Sequence, residues 1–255
     1  RNDWSSTLDK KNRSFGYPSY VGSVIIDQVL RNFNVEVPRF ISMVKVRGAI
    51  AEAGNDRGPY GTAPTYDIRP IPGTDAIGTE LPNSRPNYEL MPEIIRSSEI
   101  GLDLKLFGNR LGMDMTWYKK NAFNQIIDLG VSSTTGYNTR LINAGNVQNK
   151  GFEFTLTGSP VRQEKGFNWD ITVNYSRNTN RMVELHPEVK QSIFTYFGTI
   201  MSLVLEGKDY GDFYGTDFTR NAEGKVVVDE TGLPKPMASG ANTLLGNFQP
   251  KWASG

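Results

Sequence analysis

Between Glu99 and Tyr118, and again between Phe152 and Ser176, apolar and polar residues alternate with a period of two. Only extended chain sorts such a pattern onto two faces. Ile100, Leu102, Leu104 and Leu106 share one parity, and Glu99, Gly101, Asp103 and Lys105 share the other. Gly108-Asn109 follows, a pair that tolerates positive φ and predicts a two-residue turn. On the return, Leu111, Met113, Met115 and Trp117 alternate with Gly112, Asp114, Thr116 and Tyr118. A second hairpin places Phe152, Phe154 and Leu156 with Phe167, Trp169, Ile171, Val173 and Tyr175. The opposite parity of these strands carries Glu99, Asp103, Lys105, Asp114, Glu153 and Asp170. A slip of one residue would invert every side chain, so the pattern fixes register strongly.

Weaker extended segments flank this block. Tyr17 to Ile26 and Met43 to Ala53 read as strands, with Val44, Val46 and Ile50 facing away from Lys45 and Arg47. Thr199 to Glu206 and Gly211 to Thr219 read as another pair, and a further strand is expected near Trp252. The connections alternate in length. Gly54 to Arg96, Asn121 to Asn146 and Thr179 to Gly198 are long, and the intervening ones are short. Short turns at one end and long loops at the other is the layout of an outer-membrane barrel, and strands of about ten residues suit a bilayer. The expected fold class is therefore all-β, an antiparallel transmembrane β-barrel segment of about eight strands with long external loops. A soluble sandwich or solenoid also alternates along each strand. The competing reading is a soluble β-rich glycan-binding module, which requires a second layer over the apolar face.

Composition narrows the chemistry. Among 255 residues, 28 Lys+Arg stand against 27 Asp+Glu, which provides no basic excess for nucleic acid. Cysteine is absent and His186 is the single histidine, which excludes disulfides, thiolate chemistry and His-rich metal clusters. No apolar run is long enough for a transmembrane helix. The chain opens at Arg1 without a signal segment and closes at Ser254-Gly255, so it is expected to be an internal piece of a longer protein.

On the barrel reading, the lipid-facing residues are Ile100, Leu102, Leu104, Leu106, Leu111, Met113, Met115, Phe152, Phe154, Leu156, Ile171 and Val173. Phe107, Trp117, Phe167, Trp169 and Tyr175 fall near strand ends, where an aromatic girdle is expected at the water–lipid boundary. Tyr60, Tyr66, Tyr88 and Tyr137 lie in long loops and are candidates for stacking on a sugar or peptide ligand. Catalytic signals are weak. Ser42-Met43-Val44-Lys45 has the S-x-x-K spacing but reads as the start of a strand rather than a helix, and no K-T-G accompanies it. His186 precedes Pro187 in a polar stretch and reads as a solvated loop residue. Asp103, Asp114 and Asp170 are explained by a wetted lumen better than by a glycosidase dyad. The acidic residues between Asn221 and Gly232, in an expected small hairpin, lack calcium-loop spacing. No catalytic, cofactor or metal site is expected. Met113→Arg should oppose insertion, and Asp114→Asn should be nearly silent for it.

Several stretches recur together in family order. They include Arg1-Asn2-Asp3-Trp4 with Asn12-Arg13-Ser14-Phe15, then Val44-Lys45-Val46-Arg47 leading to Ala53-Gly54-Asn55-Asp56. Next come Ser97-Ser98-Glu99-Ile100-Gly101-Leu102-Asp103-Leu104 and Thr116-Trp117-Tyr118-Lys119-Lys120. Asn143-Ala144-Gly145-Asn146, Asn149-Lys150-Gly151-Phe152-Glu153, Asn174-Tyr175-Ser176-Arg177-Asn178 and Leu245-Gly246-Asn247-Phe248-Gln249-Pro250 complete the series. This series resembles the SusC/RagA family of TonB-dependent outer-membrane transporters. The resemblance implies a barrel of the 22-stranded, plugged class. It also implies TonB-energised import of oligosaccharides or peptides, a SusD-type surface lipoprotein as lid, and location in the Gram-negative outer membrane. It implies no cofactor and no enzymatic activity. Residues 1–255 then represent part of the barrel domain, with signal peptide, plug, TonB-contacting segment and C-terminal strands outside the chain.

Overall fold

The computed structural model describes residues 1–63, 65–187, 189, 191–197, 200–238 and 243–247. Two compact units divide the chain, Arg1–Thr179 and Asn180–Gly255.

The first unit is built on a six-stranded sheet. Its strands are β1 (Ser19–Ile25), β2 (Ile41–Asn55), β3 (Glu93–Leu106), β4 (Leu111–Phe123), β5 (Asn146–Val161) and β6 (Trp169–Glu184), in that spatial order. The last residues of β6 belong to the second unit. From β1 to β5 each strand pairs antiparallel with the next. The register puts apolar residues of equal parity opposite one another: Val46, Leu102 and Met115 form one row, and Val44, Leu104 and Met113 the next. Phe154 and Leu156 extend those rows onto β5. Six of the expected strands are thus present, and β3, β4, β5 and β6 run further toward the long loops than alternation alone indicated.

The β3–β4 turn is longer than expected. Leu106 pairs with Leu111, which leaves four residues, and Phe107, Gly108 and Asn109 all have positive φ of 54 to 66°. Three consecutive left-handed residues cannot fit a two-residue hairpin turn, so Phe107 belongs to the turn rather than the strand. Ser42 sits at a register shift in β2, and its Oγ accepts from the amides of Gly108 and Asn109 at 3.0 and 3.3 Å. The β1–β2 connection holds a helix, α1 (Ile26–Asn32), which the alternation reading passed over. Asp27, in the first turn of α1, is buried and accepts from the Val44 amide at 2.9 Å.

At the opposite end of the sheet the long connections fold. Ile126–Gly130 pairs with Thr139–Asn143, and Ser84–Arg85 adds a parallel strand to that pair. Leu8, Leu90 and Leu141 form a small core against Phe15 and Ile126. Asn143 ties three segments: it accepts from the Met91 amide at 2.8 Å and donates to the carbonyls of Met91 and Asn124. Asn12 donates to the Leu90 carbonyl at 3.1 Å, and Asp56 accepts from Ser5 and Thr7. The main core of this unit lies in the loop layer and not on a face of the sheet.

The second unit carries β7 (Gln191–Phe197), β8 (Ile200–Leu205), β9 (Asp212–Gly215) and β10 (Thr243–Asn247), paired in sequence order. The strands expected at Thr199–Glu206 and Gly211–Thr219 are present as β8 and β9, with six and four residues. β7 occupies part of the stretch expected to be a connection. Met182, Leu185, Val189, Leu203 and Val204 are buried here. The strand expected near Trp252 lies outside the described residues.

Candidate functional site: a two-faced sheet and its loop layer

Among the described residues of the first unit, none forms a covering layer over one face of the six-stranded sheet. Ile100 is 56% exposed, Trp117 45%, Val173 49% and Phe152 38%. Leu102, Leu104, Leu106, Leu111, Met113, Met115, Phe154 and Leu156 are half-buried by their own neighbours, and Ile171 is exposed beside Val173. A soluble module would cover such a band with a second layer; this face lies open. Between Leu106 and Ile100 the band extends about 20 Å along the strand. Trp117 and Phe152 stand opposite each other at its upper limit. Trp169, Phe167 and Phe107 lie toward the short-turn end, where Phe107 stacks on Phe40 at 6.0 Å. Tyr175 and Trp117 are interior to their strands, so the strands continue for several residues beyond the aromatic level.

The other face is polar and internally paired. Lys45 of β2 opposes Asp103 of β3, which opposes Asp114 of β4. Arg47, one step along, opposes Gly101 and then Thr116. The Arg47 guanidinium donates to both Asp114 oxygens at 3.1 and 2.8 Å, to Thr116 Oγ1 at 2.6 Å and to Asp103. Lys45 approaches Asp103 at 3.7 Å. Two like charges opposite each other, Asp103 and Asp114, are tolerable because one planar cation bridges both. Gly101 makes room for it: a Cβ there would meet Arg47 Nε at 2.5 Å. An open depression of about 640 Å³ is bordered by Lys45, Arg47, Asp103, Asp114 and Thr155. Nearby, Tyr118 covers Gly151 and donates to Asn178 at 3.3 Å. Asp170 accepts from Ser159. Each carboxylate of this face that was weighed as an acid or base thus serves a structural pair. Asp114→Asn removes a charged partner of Arg47, so a small cost is expected of it.

The remaining candidates separate. Ser42 and Lys45 form no Ser–Lys pair: Ser42 accepts from the β3–β4 turn, and Lys45 faces Asp103. His186 is half-buried, rather than solvated, in a turn where its carbonyl accepts from the Val189 amide. Asp229 accepts from the amides of Thr231 and Leu233 and from the Thr231 hydroxyl. These bonds, the hydroxyl foremost, hold its carboxyl below the usual carboxylate range. Among the described residues no three His, Asp or Glu side chains gather as a metal site. In the loops, Tyr60, Tyr66 and Tyr88 are 70, 63 and 60% exposed, and Tyr137 is half-buried. Among the described residues the stacked ring pairs are Phe15–Tyr17 and Phe40–Phe107, so these four tyrosines do not stack on one another. Sequence reasoning missed the Arg47 bridge. Its parity opposite Val44 and Val46 was visible, but its partners depend on register across three strands.

Residues 1–246 match the family model described as TonB dependent receptor-like, β-barrel. TonB-dependent receptor P26 of Formosa agariphila is 27% identical over 94% of this chain and 24% of its own length. TonB-dependent receptor P3 of the same organism is 26% identical over 98% of this chain and 24% of its own. TonB-dependent receptor SusC of Bacteroides thetaiotaomicron is 25% identical over 72% of this chain and 18% of its own. The chain therefore spans about a quarter of the length of the first two relatives. Among solved structures, the RagAB peptide importer in its closed-closed state superposes with a TM-score of 0.74 at 21% identity. That match covers 96% of this chain and 27% of the other.

Proposed function

Because the chain belongs to the TonB-dependent receptor β-barrel family, we propose that it forms a stretch of barrel wall, with external loops, in a complete transporter that imports oligosaccharides or peptides. TonB-dependent receptors reside in the Gram-negative outer membrane and are not enzymes. The observation that carries the reading is the pair of faces on one sheet: an uncovered apolar band, backed by the Arg47 ion pairs. Lipid accepts no hydrogen bonds, so a spanning sheet must pair its backbone strand to strand, as β1 to β5 do. The polar face then borders the plug and the watered lumen. The folded loop layer presents Tyr60, Tyr66, Tyr88 and Tyr137 toward the ligand and a SusD-type lipoprotein lid, and the TonB complex acts through the plug.

The similar RagAB structures are of a peptide importer, at an identity that supports the fold alone. Both substrate classes therefore enter the test. Deletion of the gene encoding the receptor should abolish uptake of one class, labelled oligosaccharides or labelled peptides, and removal of TonB should have the same effect. Uptake of every tested oligosaccharide and peptide by the deletion strain at the wild-type rate would overturn the proposal.

A further inference from the structure

On the apolar face, just beyond Trp117 and Phe152, the sheet places two lysines opposite each other. Lys119 of β4 pairs in register with Lys150 of β5. Both are exposed, and their Cα atoms are separated by about 5 Å as cross-strand neighbours. Like charges in this arrangement repel. A third cation adjoins them. Asn174 and Asp170 of β6 accept from Thr155 and Ser159 on the polar face, so Arg177, of odd number, has the parity of the apolar face. Among the described residues no carboxylate pairs with Lys119, Lys150 or Arg177. Of the residues of that parity in β2 to β5, Glu52 is the one carboxylate, and Arg96 holds it at 2.6 Å. Three cations therefore stand on adjacent strands, and among the described residues no carboxylate balances them.

Their level identifies the counter-charge. Lys119 lies two residues past Trp117, about 7 Å along the strand, where lipid acyl chains end and headgroups begin. The end is that of the long loops, hence the outer leaflet. The side is the lipid side, so a soluble ligand moving through the lumen does not pass it. We propose that Lys119, Lys150 and Arg177 form a binding site for a phosphate of an outer-leaflet glycolipid of the lipid A class. The phosphate offers several strong acceptors to cations on neighbouring strands and relieves the Lys119–Lys150 repulsion. This inference rests on the barrel reading above.

The test uses the full-length receptor that contains this segment, extracted in detergent from outer membranes. A heat-dependent gel shift first establishes a folded barrel; its absence would defeat the barrel reading, and this site with it. Native mass spectrometry then measures retention of phosphorylated lipid A, of phosphate-free lipid A, and of the former in competition with inorganic phosphate. Phosphorylated lipid A should be retained, with each of Lys119→Gln, Lys150→Gln and Arg177→Gln weakening it about fivefold. Lys120→Gln, on the opposite face, should change nothing. Lys150→Glu should lose the lipid yet raise the unfolding temperature in lipid-free detergent, because it supplies Lys119 with a partner. Equal retention of phosphate-free lipid A, unchanged retention in the three variants, or displacement by millimolar inorganic phosphate would each overturn the inference in a barrel that still shows the gel shift.

Discussion

Met113→Arg probes the assignment of the two faces directly. Leu111 pairs with Leu106 at the lower limit of the apolar band, and Trp117 pairs with Ile100 at the upper limit. The midpoint of that stretch falls at Asp114, so Met113 lies one residue, about 3.4 Å of strand, from the centre. Its register partners, Leu104 on β3 and Leu156 on β5, provide no counter-charge. An arginine there meets the full midplane cost of about 2–4 kcal/mol, which shifts the folding equilibrium by a factor of roughly 30 to 900. Asp114→Asn, the adjacent residue on the other face, weakens the bond to Arg47 but leaves an oxygen acceptor and the Asp103 contact. The Asp114 side chain is 49% exposed, so this change should cost about 0.5–1 kcal/mol, less than a factor of six. Urea-dependent folding of the full-length receptor into lipid vesicles, followed by tryptophan fluorescence and gel shift, measures both. Equal losses, or a larger loss for Asp114→Asn, would refute the assignment of lipid to the Met113 face.

Other predictions concern packing and charge. Gly151→Ala should destabilise the barrel by about 1–3 kcal/mol, because its Cβ would stand 2.6 Å from both the Arg177 carbonyl and the Tyr118 hydroxyl; thermal unfolding of the receptor would read the shift. Leu90→Ala removes a side chain only 1% exposed from the Leu8–Leu141 core and should cost the loop layer about 2–5 kcal/mol. Limited proteolysis should then cut residues 56–92 faster while the strands stay protected. The Asp229 turn should hold above the ordinary carboxylate range and loosen as pH falls through the lowered value, since the charged form accepts the Thr231 and Leu233 bonds. Amide chemical shifts of Thr231 and Leu233 against pH would show it, and no movement down to the acid limit would count against the turn.

The strand faces were legible because alternation is a local property. Ile100 to Leu106 and Leu111 to Trp117 declare their parity without any neighbour, and the short turn between them fixes how they pair. Other features depend on contacts distant in sequence. Arg47 reaches Asp114 only because β2 and β3, joined by a connection of 37 residues from Asp56 to Pro92, align Arg47 with Gly101. The α1 helix did leave a trace: Ile26, Val29, Leu30 and Phe33 recur at helical spacing, directly after the extended run that ends at Ile25. The loop layer left almost none. Asn143, Asn12 and Asp56 hold it by single side-chain bonds to distant backbone or hydroxyl groups, and such bonds have no period. The loop tyrosines were visible as residue types, but the sites they serve depend on how their loops fold.

The small Leu8–Leu90–Leu141 core couples three stretches of chain that leave the sheet at different strands. Those stretches cannot be exchanged one at a time without opening an apolar seam. Diversification of what this end of the protein contacts should therefore proceed by wholesale replacement of the layer, or by substitution of exposed tips such as Tyr60 and Tyr88, while the leucines and Asn143 change together or not at all.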